Sequence, residues 1–247
     1  MPVVQNDIIE QEKTAQNHDV LLDVPLPPQK PVYSFFKRLL DIVGSLIGTA
    51  VLLLPMAVIS VIIMTRDGGA PFYLHNRVGK NGSALGVCKF RSMKKGADQL
   101  EKNLSAEQLA EYKKEYKLKD DPRLIGYKQP GDGSRCFGAK LRKWSVDELP
   151  QIVWNILIRG NMSIVGPRPV VKSELEENYT PQQQKALLSV KPGLTGYWQA
   201  YARNNVGYKN GERQKMELWY VQNRSFSLDI KIIFKTVDTV LRGRGAD

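Results

Sequence analysis

The stretch LLDIVGSLIGTAVLLLPMAVISVIIM, Leu39 to Met64, carries a single charge, Asp41, near its start. At about 1.5 Å per residue, a helix of this length exceeds a hydrocarbon core of roughly 30 Å. Pro55 lies near its centre, where it removes a backbone hydrogen bond and bends a helix. Cations flank both ends: Lys37 and Arg38 before it, Arg66, Arg77 and Lys80 after it. Lys and Arg prefer the cytoplasmic side, so these flanks suit a segment that enters, bends at Pro55 and leaves on the same face. A straight span kinked at Pro55 has the same length to offer, and the residues alone leave both readings open.

Upstream, residues 1–32 are polar and end in the Pro-dense run VPLPPQKPV, which favours extended structure and resists packing. They read as a flexible tail and not as a signal peptide, because no basic region precedes an apolar stretch near the N-terminus. Residues 33–66 form the membrane segment and 67–247 the remaining domain. That domain opens with short β-like pieces in PFYLHNRVGKNGSALGVCKFRSM, turning at Gly79 and Asn81-Gly82. Residues 97–118 read as one charged surface helix with a thin stripe of Leu100, Leu104, Leu109, Tyr112 and Tyr116. Helical patterns return over 148–158 and 172–189. Near the end, Ile230, Ile233, Phe234, Val237, Val240 and Leu241 make an apolar stripe with Lys231, Lys235 and Arg242 off it. Such a helix suits a membrane interface or the cover of a core.

Of the 247 residues, the first thirty sum to −3, which leaves +14 on the rest of a +11 chain. A field of that size attracts nucleic acid, anionic lipid or phosphorylated substrates. Two cysteines, Cys88 and Cys136, make no disulfide framework, and a reduced, cytosol-facing compartment is the simpler expectation. With only His18 and His75, a histidine-rich metal site is excluded. A metal would be held by oxygen, which points to a hard cation such as Mg²⁺.

The candidate chemistry lies in RKWSVDELPQ, Arg142 to Gln151. Ser145 and Glu148 are spaced as a capping box, so Asp147-Glu148 reads first as the acidic start of a helix. With Ser145 as N-cap, however, Pro150 falls at the fifth helical position and loses an internal bond. A start at Asp147 puts Pro150 in the first turn, where no N–H is needed, and sets both acids at the positive end of the helix dipole. Downstream, GNMSIVGPRPV has Gly166 for close backbone approach and two prolines stiffening a loop that presents Arg168, suited to bidentate phosphate binding. Lys89 and Arg91 in KFRSM and Arg142 in LRK add cations that, taken singly, are ordinary surface charges.

Residues 141–169, LRKWSVDELPQIVWNILIRGNMSIVGPRP, with KFRSM at 89–93 and KPGLTGYWQAYARN at 191–204, closely resemble the bacterial sugar transferase family over roughly residues 33–247. These are monotopic transferases that move a sugar 1-phosphate onto a polyprenyl phosphate. The resemblance implies a mixed α/β, mostly helical fold with a small sheet, amphipathic interfacial helices and a Pro-broken, re-entrant N-terminal helix. It also implies a catalytic domain on the cytoplasmic face of the bacterial inner membrane.

The activity implied is transfer from a UDP-sugar, glucose or galactose in type, to undecaprenyl phosphate. UMP is released, and exopolysaccharide, capsule or O-antigen assembly begins. Asp147 takes the place of the nucleophile that forms a phosphoryl-aspartate, and Glu148 that of its partner in holding Mg²⁺ or handling protons. Lys89, Arg91, Arg142, Arg168 and Arg203 become candidate phosphate and nucleotide ligands. Phosphoryl transfer rewards such charge neutralisation and alignment.

Three features depart from the family pattern: Asn161 where an acid is common, Ala202 where Gly is frequent, and a longer stretch over 126–138. Partners expected are the UDP-sugar, undecaprenyl phosphate and membrane lipids, with room for a homo-oligomer. Nucleic acid is not expected, because the cations are scattered among glycines and prolines with no recognised nucleic-acid module. The alternative is a membrane-tethered scaffold or basic binding protein without catalysis.

Overall fold

The structure is a computed structural model and describes residues 25–115, 118–202 and 211–241. The apolar stretch lies in α1, Pro31–Asp67, the one helix among the described residues long and apolar enough to cross a membrane. Its 37 residues correspond to about 55 Å. Pro55 lies inside α1 and the helix continues on both sides of it. Hydroxyls in this helix bond to carbonyls one turn back, as from Thr49 to Ser45 (2.7 Å) and from Ser60 to Met56 (2.8 Å). That placement spares the surroundings a bare polar group. Most of the apolar surface faces outward: Val51, Leu53 and Leu54 are exposed, while Met56 and Ile63 are buried. This surface fits association with a membrane.

The chain divides into two compact units. One takes Leu39–Asn76, Gly86–Gly160 and Phe234–Asp247; it contains most of α1. In its core Met56 and Ile63 of α1 meet Phe90, Ile125 and Leu141, with Leu52, Ile59, Leu149 and Val153 packed around them. Positions 52, 56, 59 and 63 follow the helical period, so one stripe of α1 docks on protein and the rest is left outward.

Strands β1, Phe72–Val78, and β2, Ala84–Phe90, pair around a turn at Lys80–Gly82, with Asn81 at φ 57 and Gly82 at φ 77. The Asn-Gly turn signal is met. The single helix expected over 97–118 is instead two, α2 (Leu100–Asn103) and α3 (Ala106–Glu115). Ser105 and Gln108 form a reciprocal cap, Ser105 N–H to Gln108 Oε1 at 3.1 Å and Gln108 N–H to Ser105 Oγ at 3.2 Å, which starts a new helix there. Leu104 is buried as the stripe expected, and Tyr112 lies under the Arg123 guanidinium (4.6 Å); Tyr116 lies outside the described residues. Next in this unit come α4, Phe137–Lys143, a 3₁₀ turn at Val146–Glu148 and a π-helix at Ile152–Ile158.

The other unit takes Met1–Arg38, Arg77–Leu85 and Asn161–Ile233. Its parallel pair β3 (Ser163–Val165) and β4 (Gly193–Thr195) aligns Ser163 with Gly193 and Val165 with Thr195. The pattern over 172–189 splits into α5 (Lys172–Asn178) and α6 (Pro181–Leu187). The break is a full capping box at Thr180 and Gln183 with Pro181 in the first turn. Then follow α7 (Tyr197–Tyr201), α8 (Glu212–Asn223) and α9 (Phe226–Leu241). Val165, Val170, Leu175, Leu218, Val221 and Ile232 form the core.

On α9, Ile232 and Asp229 are buried, whereas Phe234 and Val237 of the expected stripe are exposed. The buried Asp229 carboxylate accepts from Tyr33 (2.8 Å), Tyr220 (2.7 Å) and Lys37 (2.7 Å), which ties the first turns of α1 into this unit. The end of the Pro-dense run, residues 25–30, forms neither helix nor strand, but it does pack: Gln222 donates to the Pro25 carbonyl and Arg224 to that of Pro28 (2.8 Å). The rest of the expected tail, residues 1–24, lies outside the described residues.

Candidate functional site

In the unit that holds most of α1, the acids sit on the 3₁₀ turn that follows α4. Ser145 precedes them with φ 54 and ψ 22, a left-handed conformation costly for a residue with a Cβ. Its side chain makes no cap bond, so the Ser145–Glu148 capping box is not the role of this stretch. Asp147 and Glu148 fall in the first turn, and the longer helical run begins at Pro150, where the missing N–H costs nothing. The acids therefore form a 3₁₀ turn of their own, Val146–Glu148, ahead of the helix, which does not start at Asp147.

Lys89, near the end of β2, reaches both carboxylates. Its Nζ lies 2.7 Å from Glu148 Oε1 and 3.7 Å from Asp147 Oδ2. The closer contact goes to Glu148 as a charge-assisted hydrogen bond, while Asp147 is in ion-pair range but beyond a hydrogen bond to Lys89. The three side chains are largely covered, 12–22% exposed, so their attraction is less screened than at an open surface.

Alternation along β2 and beyond explains where the neighbours go. Phe90 and Ser92 point into the core, at 0% and 3% exposure. Arg91 takes the other side, where Nη1 pairs with Asp67 at 2.8 Å, and its Nε and Nη2 carry no hydrogen bond among the described residues. Arg142 donates from Nε to Ser92 Oγ at 2.9 Å. Lys89 thus meets the acid pair directly, whereas Arg91 and Arg142 are anchored on Asp67 and Ser92.

Asn155, fully buried within the π-helix, was not anticipated. Its Oδ1 accepts the Cys88 N–H and its Nδ2 donates to the Gly86 carbonyl, both at 2.9 Å. One amide thereby clamps β2 beside Lys89 to the helix that follows the acids. A π-turn supplies the extra residue per turn that lets such a side chain face inward. A lone Asn in the apolar run IVWNILI was the available signal.

Arg168 belongs to the other unit. The expected close approach at Gly166 is present: a Cβ there would fall 2.6 Å from the Lys191 carbonyl oxygen and 2.7 Å from Gly193 N. Gly166 N–H donates to Thr195 O and Gly193 N–H to Pro167 O, both at 2.9 Å, so the GPRP loop is stitched to β4. The Arg168 N–H donates to Glu217 Oε2 (3.2 Å), and its guanidinium lies 5.7 Å from the Trp198 ring centre. Arg213 covers the same ring at 4.4 Å and pairs with Glu174 at 3.0 Å. Glu217 is 1% exposed; burial pushes its carboxyl up to about 7, a rise partly offset by Arg213 and the Arg168 N–H. Burial and the nearby Arg168 charge lower Arg213 from the usual guanidinium range. Glu217 gave no sequence signal beyond being an acid within ELWYV. Arg203 lies outside the described residues.

No group of three or more His, Cys, Asp and Glu side chains suited to a metal occurs among the described residues. Asp147 and Glu148 offer two adjacent carboxylates. That donor set fits Mg²⁺, which takes one or two carboxylates and completes its shell with water and substrate phosphate.

A family model described as bacterial sugar transferase matches residues 32–243. The chain is 43% identical over 215 residues to the UDP-galactose-lipid carrier transferase of Erwinia amylovora, covering 86% of this chain and 42% of that protein. It is 41% identical over 215 residues to the undecaprenyl-phosphate galactose phosphotransferase of Salmonella typhimurium, again covering 86% and 42%. With the exopolysaccharide production protein ExoY of Rhizobium meliloti it shares 38% identity over 220 residues, covering 88% of this chain and 90% of that protein. It therefore spans less than half the length of the first two relatives and nearly all of the third. With the family model matching all but the two ends, the chain belongs to the bacterial sugar transferase family.

Proposed function

We propose that this protein is a phosphoglycosyl transferase that moves a sugar 1-phosphate from a UDP-sugar to undecaprenyl phosphate. The observation that carries the proposal is Lys89 bridging Glu148 and Asp147 beside a strained turn. Asp147 attacks the β-phosphorus of the donor. A bond forms between its carboxylate oxygen and phosphorus, the bond from that phosphorus to the bridging oxygen breaks, and UMP leaves with the electron pair. A phosphate oxygen of the polyprenyl phosphate then attacks the same phosphorus and expels the Asp147 carboxylate, leaving a diphosphate-linked lipid sugar.

Lys89 neutralises charge that builds on the transferring group, and Glu148 holds Lys89 in place at 2.7 Å. Arg142 and Arg91 supply further fixed cations, and Arg168 with Arg203 are assigned to the donor's phosphates. Mg²⁺, when bound by Asp147 and Glu148, would polarise the donor's phosphate oxygens. A covalent route through one carboxylate predicts ping-pong kinetics.

The donor is assigned to the galactose or glucose type, in line with the galactose in the relatives' names. The product would open exopolysaccharide, capsule or O-antigen assembly. α1 is assigned to the inner membrane as a re-entrant element, entering and leaving at the cytoplasmic face with its turn near Pro55. The cations that flank the apolar run on both sides, Lys37 and Arg38 before it and Arg66 after it, support this.

The test is UMP release by the detergent-solubilised protein with Mg²⁺, undecaprenyl phosphate and a panel of UDP-sugars. Release with one or two sugars, abolished in Asp147→Asn, is expected. Full turnover in that variant would remove Asp147 as nucleophile. Folded protein inert toward every donor would leave a non-catalytic scaffold. Tags before residue 33 and at the C-terminus should both report the cytoplasm; a periplasmic N-terminal tag would end the re-entrant assignment.

A further inference from the structure

The longer stretch over residues 126–138 plays no part in the chemistry above, and it builds a cavity of its own. The segment folds over Asp120, whose carboxylate accepts the N–H groups of Gly131 and Gly133, both at 2.7 Å, and the Tyr127 hydroxyl at 2.9 Å. Against it lies an open cavity of about 270 Å³ within the unit that holds most of α1. Its walls carry three cations, Arg66, Arg135 and Lys140, against one acid, Asp132.

The acid is already committed: Asp132 Oδ2 accepts the backbone N–H groups of Lys128 (3.1 Å) and Gln129 (3.2 Å). None of the three cations pairs with a carboxylate among the described residues. Arg66 is held in place, its guanidinium 5.2 Å from the Phe137 ring centre. Gly126, at φ +85, makes room for it, since a Cβ there would stand 3.4 Å from Arg66 Nη1 and 3.2 Å from Phe137 N. Arg66 is also the basic residue in the last turn of α1, two positions after the apolar run ends at Met64. In a bilayer that position falls at headgroup depth, where basic side chains meet lipid phosphates.

We propose that this cavity is a phosphate-binding site filled at the membrane surface by the headgroup of an anionic phospholipid. The inference needs α1 to lie in a membrane and does not depend on the transferase reading. Three cations around one open cavity give a phosphate oxygen a donor on each side, and the guanidinium of Arg135 offers two parallel N–H groups to one phosphate. Lys140 adds a point charge from the last turn of α4.

The test uses the full chain in detergent, offered equal amounts of phosphatidylglycerol and phosphatidylcholine, with retained lipid read by native mass spectrometry. Wild type should keep phosphatidylglycerol preferentially. The Arg135→Gln/Lys140→Gln variant, altered only at exposed side chains, should lose that preference by about thirtyfold, at roughly fivefold per basic residue. Lys102→Gln/Lys119→Gln, which removes the same charge from exposed positions outside the cavity, should keep it. A second arm offers inorganic phosphate alone and reads the unfolding temperature. Stabilisation of wild type but not of the cavity variant, with no lipid preference, would uphold the phosphate site and replace the lipid with free phosphate. An equal loss in the control variant would assign lipid retention to the protein's overall charge, and absence of both effects in wild type would leave no site; either result overturns the proposal.

Discussion

Two acids in this molecule sit among basic side chains in different settings. Asp147 lies on a strained turn, buried at 8% exposure, with Lys89 3.7 Å away. Glu217 is sealed within its unit at 1% exposure, beneath Arg168 and beside Arg213, and one of its oxygens lacks a hydrogen bond among the described residues. Asp147, proposed above as the nucleophile, has a cation within ion-pair range. The second setting favours a proton, and it suits an acid that fixes a loop. Both acids have cations nearby, and Glu217 is the more deeply buried of the two.

The largest expected effect comes from removing the cation that spans the Asp147-Glu148 pair. Lys89→Gln should lower turnover by about 10²–10³-fold, the scale for losing one preorganised charge at a reacting group. The unfolding temperature should also fall, because a largely covered acid pair is left without its cation. UMP release under donor saturation reads the first quantity and thermal denaturation the second. A variant that loses stability while keeping turnover would make Lys89 a structural residue and dissolve the contrast with Glu217.

Next in size is a pH effect confined to Glu217. Its folded value of about 7 lies above the ordinary 4.5, so the fold favours the protonated acid. Its stability contribution is complete below about pH 4.5 and is lost as pH rises through 7, with a total near 3 kcal/mol. Arg213, Glu174 and the Arg168 loop are the charged neighbours that modulate this window. Wild-type unfolding temperature should therefore fall between pH 5 and pH 8. Glu217→Gln keeps an acceptor for the Arg168 N–H but cannot titrate, so its unfolding temperature should be flatter over the same range. Parallel curves for the two proteins would show that Glu217 does not titrate in this window.

Much of this contrast was legible in the sequence on one side only. The acid pair, its Lys89 partner and the membrane-length helix announce themselves through local spacing and composition. The breaks at Ser105 and Thr180 were written as capping boxes, yet the apolar period ran across both and suggested longer helices. What stayed hidden depends on contacts distant in sequence: Asn155 clamping β2, Arg91 turning to Asp67, and the burial of Glu217 beneath a loop some fifty residues earlier. No composition or period encodes which acid the fold will close over. The packing of Pro25 and Pro28 was likewise invisible, because it rests on Gln222 and Arg224.

The smallest effect probes how finely the open site is positioned. Arg142 owes part of its orientation to one neutral hydrogen bond, from Nε to the buried Ser92 hydroxyl at 2.9 Å. Ser92→Ala deletes that acceptor and leaves the Ser92 carbonyl, which receives the Ile125 N–H at 3.0 Å, in place. A bond of this kind contributes about 0.5–1.5 kcal/mol, so the donor's KM should rise by about two- to tenfold. If Arg142 holds the donor equally before and during transfer, kcat should not change. A fall in kcat at constant KM would instead mean that Arg142 acts on charge developing in the transition state, and would move it into the same class as Lys89.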